Sequence, residues 1–231
     1  MFIVIKKRML ALAAGILVVV LLCAGATAGA LAFSPDTDVV VVLDAGHGGI
    51  DDGCIGVNSK VSEAEINLIL AKKIASFLKE QGVTVVLTRE NEKGLYTETG
   101  RFKSQDMAAR KKIILDSAPK LVVSIHCNKF PDSSRRGAQV FYEPLSEQGK
   151  ALADSLQNNL NTLNAEYVQR SFTALKGDYY ILNCSKYPSA IVECGFLSNP
   201  EDDALLNNED YRNKLAYRIF CGILGYLATE E

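Results

Sequence analysis

From position 38 onward the chain alternates short, continuously apolar runs with longer stretches in which apolar residues recur every three or four positions. The runs 39–44 (VVVVLD), 83–88 (VTVVLT), 121–126 (LVVSIH), 138–142 (AQVFY) and 190–194 (AIVEC) are rich in β-branched residues and predict strands. Continuous rather than alternating apolarity means burial on both faces, as in a sheet covered by helices on either side. The helical pattern covers 63–81, 104–117, 146–163 and 210–228. In the first of these Ile66, Ile69, Leu70, Ile74, Phe77 and Leu78 share one face and Gly82 stops the helix; in the last, Leu215, Ile219, Phe220, Ile223 and Leu227 repeat the pattern. Strand–helix alternation of this kind predicts one α/β domain on a largely parallel sheet, with no internal repeat and no second domain. Long polar connections fall at 89–102, 127–137 and 164–180. In such folds the loops beyond the carboxyl ends of the strands build the site.

Residues 1–35 break the pattern. Lys6, Lys7 and Arg8 precede an uncharged stretch, 9–33, and the next charge is Asp36. A basic start followed by an apolar core is an export signal. Ala26-Thr27-Ala28 offers a small-residue cleavage site, yet the stretch is longer than the roughly 20 residues needed to span a bilayer. A signal peptide and an uncleaved signal anchor both fit, the anchor making the membrane a partner. Cys23 follows a leucine, a poor context for lipid attachment. In either case residues 36–231 are expected to work outside the cytoplasm, with the basic end left inside.

Composition narrows the function. A chain of 231 residues, 48% hydrophobic and 23% charged, can bury a sizeable core. A net charge of −2 gives no basic face for phosphates, so no nucleic-acid partner is expected. The absence of Trp and the scarcity of Pro argue against a linker-rich or disordered chain. Of the six cysteines, Cys23 lies in the apolar segment, leaving Cys54, Cys127, Cys184, Cys194 and Cys221, an odd set with no CxxC spacing. Free, buried thiols are the expectation.

The chain has only two histidines, and both close a strand candidate: His47 in LDAGHGG (43–49) and His126 in VVSIHCN (122–128). An isolated histidine is more often a satisfied core residue than a ligand. Two at equivalent strand ends, one of them among Gly46, Gly48 and Gly49, suggest a ligand pair, because glycine lets backbone adopt positive φ and approach closely. Zinc binds imidazole, and a catalytic site uses three protein ligands with one position open. VSEAEINL (61–68) supplies the carboxylate. Ser62 reads as an N-cap, which puts Glu65 at the capping-box position and leaves Glu63 free to point beyond the helix end. Glu63 is therefore the preferred third ligand, set against a plain charge on the helix dipole. Glu193 follows Ile191-Val192 among apolar neighbours. A carboxylate there is costly unless it is paired, to Arg89 or Arg110, or working as a general base on a bound water.

DAGHGG, SEAEINL, SIHCN and VECGFLSNP, in this order and at these separations, resemble the zinc-dependent N-acetylmuramoyl-L-alanine amidases of the AmiC-like peptidoglycan hydrolase family, over about residues 39–228. The resemblance implies an α/β domain with a mixed, mostly parallel sheet of about six strands flanked by helices. It implies one zinc ion on His47, Glu63 and His126, Glu193 as the catalytic glutamate, and a stem peptide of peptidoglycan as substrate. Some amidases of this kind also need an accessory activating protein. The short export segment, QDMAARKKIIL and GAQVFY are most similar to the family members of spore formers that prepare the cortex for muramic δ-lactam. Ala45, Ala64, Cys127 and Asn183 depart from the family's commonest residues at those positions. Two rival readings are another zinc hydrolase of the same polymer, a carboxypeptidase or deacetylase, and a membrane-anchored wall-binding protein without catalysis. Arg135 and Arg136 are either contacts for a stem-peptide carboxylate or a solvated pair. A thiol could take the place of Glu63 as a ligand.

Overall fold

The computed structural model describes residues 39–97 and 101–229, and the export segment expected over 1–35 lies outside them. Among the described residues no helix is long and apolar enough to cross a membrane. Six strands form one sheet: β1 (Val40–Ala45), β2 (Thr84–Leu87), β3 (Leu121–Asn128), β4 (Gln139–Tyr142), β5 (Leu175–Lys176) and β6 (Ser189–Phe196), in the order β2-β1-β3-β6-β4-β5. All neighbours are parallel except β4 against β6, so the sheet is mixed and mostly parallel, as expected. Among the described residues six helices accompany it: α1 (Glu63–Glu80), α2 (Phe102–Ser117), α3 (Glu147–Tyr167), α4 (Tyr180–Asn183), α5 (Pro200–Asn207) and α6 (Glu209–Leu227).

Period-2 alternation divides the strand residues between two faces. Val41, Leu43, Val123, Ile125 and Val192 are wholly buried on the face covered by α1 and α3, with α6 packed across both helices. Val42, Val122 and Ile191 point the other way and meet Ile114 of α2 and Ile181 and Leu182 of α4. Both faces are therefore apolar, which is why these strands read as continuous runs. The same alternation carries Asp44, Ser124, His126 and Glu193 onto the α2 face at the carboxyl end of the sheet, where Asp44 pairs in register with Ser124 and His126 with Glu193.

Three elements escape the periodicity reading. β5 is a two-residue edge strand and α4 a single turn, both too short to show a period. α5 is opened by Asn199, whose side chain accepts from the N–H groups of Glu201 and Asp202, with Pro200 in the first helical position. That start signal stands in the sequence, but the helix has only eight residues. The five described cysteines are all free.

One ionic group is sealed inside the domain. Arg110 of α2 is fully buried, and its guanidinium bonds the Asp44 and Asp106 carboxylates and the carbonyls of Ala45 and His47. Asp44 also accepts from Thr88 and Ser124. Burial alone would raise the Asp44 pKa, but the Arg110 charge and the two hydroxyls outweigh it and hold the carboxyl at about 2, against an ordinary 3.8. A depressed carboxylate pKa contributes stability that is complete above the unfolded value and is lost as pH falls through the folded one. Stability of the wild type should therefore decline from about pH 4 toward pH 2. Arg110→Met, which leaves buried carboxylates unpaired, should cost about 3–5 kcal/mol at neutral pH and flatten that acid limb. Urea unfolding across the pH series measures both; an Arg110→Met protein as stable as wild type would show that the pair carries no structural weight.

Candidate metal centre

β1 ends at Ala45, and the loop behind it turns back with unusual backbone angles: φ is +60° at His47, +129° at Gly48 and +68° at Gly49. A left-handed histidine is strained by about 1–2 kcal/mol. It persists because its neighbours are pinned: Arg110 bonds the His47 carbonyl, and the Gly49 N–H donates to the Glu92 carbonyl at 2.7 Å. Gly46 serves another purpose. A Cβ on it would lie 2.2 Å from Cε1 of His126, so this glycine is the space in which the second imidazole sits.

His47, Glu63 and His126 are brought together, each offering a donor atom within 4.8 Å of the others. Glu63 Oε1 lies 3.2 Å from His47 Nε2 and 2.9 Å from His126 Nδ1. The carboxylate is 4% exposed and held in place: Cys127 N–H donates to Oε1 at 3.1 Å and Cys54 N–H to Oε2 at 2.9 Å. Asn67, one helical turn on, donates to Oε1 and to the Gly46 carbonyl. On the far side of His47, Nδ1 lies 3.0 Å from Asp51 Oδ1, an ionic contact without hydrogen-bond alignment. Glu65 is exposed, and Ser62 accepts its N–H; no bond returns from its carboxylate, so the capping box is half made.

The electrostatics favour a cation. Burial by itself would lower the His47 pKa, but Glu63 and Asp51 lift it to about 9. His126 is raised against its own burial by Glu63 and Glu193. Glu63 in turn is driven far below the carboxylate range by the two imidazoles, despite desolvation. A metal ion bound by such groups would displace their protons, so its affinity would depend on pH. Two imidazole nitrogens and one carboxylate oxygen, with the remaining directions open, are the donor set of a catalytic zinc site. The residues present fit that ion.

Glu193 stands beside this cluster, directly across the β3–β6 ladder from His126. Its Oε2 is buried without any hydrogen-bond partner. Burial pushes its pKa to about 7, with Glu63 adding to the rise and the imidazoles opposing it. No arginine pairs with it. Arg89 spends its donors on the carbonyls of Ala45, Gly46, Ala64 and Asn91, and Arg110 on the groups named above. His47, His126 and Glu193 line one cavity of about 290 Å3, whose other walls include Phe102, Met107 and Ile181.

Several readings of the sequence are settled by placement. Cys127 and Cys194 are buried, and neither they nor Cys54 line the cavity; the Cys54 thiol donates to the Cys127 carbonyl. No cysteine belongs to the metal-holding cluster among the described residues. Arg136 is paired with Glu201 and Asp202, and Arg135 lies over the Phe130 ring; neither lines the cavity. Asn183 bonds Asp178 at 2.6 Å. Of the residues that differ from the family pattern, Ala45 and Ala64 act through backbone carbonyls, so their side chains matter little. Asp51 and Asn67 were not singled out in advance, although Asn67 stands four residues from Glu63 on α1, where side chains meet.

The family model of N-acetylmuramoyl-L-alanine amidase matches residues 41–225. The germination-specific N-acetylmuramoyl-L-alanine amidase of Bacillus subtilis (strain 168) is 36% identical over 201 residues, 85% of this chain and 83% of that protein. Among solved structures, the CwlD amidase of Clostridioides difficile, determined in complex with the GerS lipoprotein, superposes with a TM-score of 0.77 at 36% identity, covering 83% of this chain and 99% of that one. The catalytic domain of CwlV from Bacillus (Paenibacillus) polymyxa var. colistinus gives 0.70 at 30% identity, covering 82% and 98%.

Gly46→Ala tests the packing of the two rings. The new methyl must displace His126, so zinc affinity should fall by at least about tenfold, the scale at which disturbed ligand orientation is felt. The α/β circular dichroism should persist. Competition with a chromogenic chelator reads the affinity, and wild-type binding by this variant would show that Gly46 does not set the position of His126.

Proposed function

The chain belongs to the N-acetylmuramoyl-L-alanine amidase family, and on that premise we propose that it hydrolyses the amide between the lactyl group of N-acetylmuramic acid and L-alanine in spore-cortex peptidoglycan, with one zinc ion held by His47, Glu63 and His126 and with Glu193 as general base. The observation that carries this reading is the partnerless Glu193 carboxylate on the wall of the cavity that His47 and His126 also line. A protein that only binds the wall has no use for such a group.

Zinc, when bound, supplies Lewis acidity to the scissile carbonyl and to the attacking water. Everything else falls to the chain. Glu193 takes a proton from that water as it attacks and delivers it to the departing alanine nitrogen, so one group serves as base and then acid. Its raised pKa suits both tasks. Asp51, against Nδ1 of His47, holds the ring with Nε2 turned toward Glu63 and the ion. The Cys54 and Cys127 N–H groups and Asn67 fix the Glu63 carboxylate from behind. The apolar walls limit water in the cavity, which strengthens each of these charge interactions.

Cleavage leaves a free lactyl carboxylate on muramic acid, the group from which muramic δ-lactam is closed after a deacetylation. The germination-specific role in the name of the Bacillus subtilis relative supports placing this chain in that sequence. The substrate is extracytoplasmic, in agreement with the export segment at 1–35, which would deliver or anchor the domain at the membrane. An accessory partner is part of the proposal, since the Clostridioides difficile neighbour was solved with a lipoprotein.

His47→Ala and His126→Ala should each lose most of the metal while keeping the fold, and Glu63→Gln should weaken binding where Glu65→Gln does not. Metal analysis of the purified proteins checks this; full occupancy in a histidine variant, or loss confined to Glu65→Gln, would redraw the ligand set.

Glu193→Gln keeps the shape and removes the base, so stem-peptide release should fall at least about a hundredfold with zinc content unchanged. Thermal stability should not drop, because a buried unpaired carboxylate is a cost rather than a support. Mass spectrometry of digested peptidoglycan identifies the bond: wild type should release intact stem peptides, not a terminal amino acid or acetate. Near-normal release by Glu193→Gln removes the general-base role, and loss of metal puts Glu193 among the ligands.

A further inference from the structure

The cavity at the metal centre has a charged residue that neither the fold nor the proposed chemistry uses. Lys103, in the first turn of α2, lines it together with His47, His126 and Glu193. Its side chain is exposed, and among the described residues no carboxylate pairs with it and no acceptor bonds its ammonium. Of the carboxylates on the cavity, Asp44 and Asp106 are bonded to Arg110, Asp51 stands against His47, and Glu193 has a buried Oε2 without a hydrogen-bond partner. Nor does Lys103 help its own helix. A cation in the first turn opposes the helix dipole, and α2 has no acidic residue there and no capping side chain to offset it. A local rule is broken without structural return, which points to a ligand.

The substrate class fits that ligand. A peptidoglycan stem is anionic near the bond to be cut: its second residue is a glutamate linked through the γ-carboxyl, which leaves the α-carboxyl free. Two residues of extended chain reach roughly 7 Å, and Lys103 lines the same cavity, of about 290 Å3, as His47, His126 and Glu193. Phe102, Asp106, Met107 and Arg110 of α2 line the cavity beside the lysine, and because Arg110 is committed to Asp44 and Asp106, Lys103 is the α2 cation left for an arriving carboxylate. We propose that Lys103 is a specificity residue of this site, binding the free α-carboxylate of the second stem residue and so distinguishing stems that carry a carboxylate there from stems in which it is amidated. The inference rests on the amidase reading above.

Two synthetic muramyl peptides, identical except for a carboxylate or a carboxamide at that position, test it with the full-length zinc-loaded protein. Wild type should show a KM about tenfold lower for the carboxylate substrate, in line with one charge-assisted hydrogen bond, at similar kcat, and the preference should shrink as salt is raised. Lys103→Met should abolish the preference by raising KM for the carboxylate substrate alone, with kcat retained, and Lys103→Arg should keep most of it. Equal KM values in the wild type, or a Lys103→Met penalty that falls on both substrates alike, would overturn the role of Lys103 and leave the amidase reading standing. A wild type that cleaves neither substrate overturns that reading and this proposal with it.

Discussion

The whole site hangs on one buried cation. Arg110 reaches from α2 under the carboxyl ends of the strands and ties together Asp44 on β1, Asp106 on its own helix and the carbonyls of Ala45 and His47. A guanidinium is the side chain suited to this, since its five N–H donors lie in a fixed plane and it stays charged at any physiological pH. Two of these bonds restrain β1 and one its own helix, and the last one holds the strained histidine. Arg89 braces the same loop from the other side through three carbonyls, those of Ala45, Gly46 and Ala64. The two arginines repel, which together with burial lowers the Arg89 pKa to about 10. The Ala45 carbonyl, which accepts from both, lies between them and eases this proximity.

Above this base a second hub takes over. Glu63 gathers both imidazoles on a single oxygen, and two backbone N–H groups and Asn67 hold the carboxylate so that it cannot turn away. Two basic rings thus converge on one negative charge, and the Arg110 and Arg89 framework fixes the backbone that carries them.

Much of this was legible in the chain. The apolar runs located five of the six strands, since continuous Val, Ile and Leu can only be buried on two faces. The strand ends then pointed to His47, His126 and Glu193, because ligands in open α/β sheets gather there. Separating Glu63 from Glu65 took cap chemistry, and the structure puts Glu63 inside and Glu65 in solvent. What periodicity could not show was short or non-local. A two-residue strand and a one-turn helix have no period. The meeting of Asp44 with Arg110, 66 positions apart, depends on α2 crossing beneath β1, which no local pattern encodes. Gly46 was marked as a glycine of conformational freedom, yet its use is spatial: it is the hollow for a ring carried by another strand.

The in-register pairing of His126 with Glu193 also joins distant parts of the chain. His47, Glu63 and His126 come from the loop after β1, from α1 and from β3, all in the first half of the domain, with β1 and β3 adjacent in the sheet. Glu193 arrives only with β6, which must slot between β3 and β4, on one side parallel and on the other antiparallel. Parallel pairing across a long sequence separation is among the slowest steps available to a chain. Glu193 therefore rests on a longer-range pairing than the cluster beside it, and a slip of β6 by one residue would turn its carboxylate to the opposite face of the sheet.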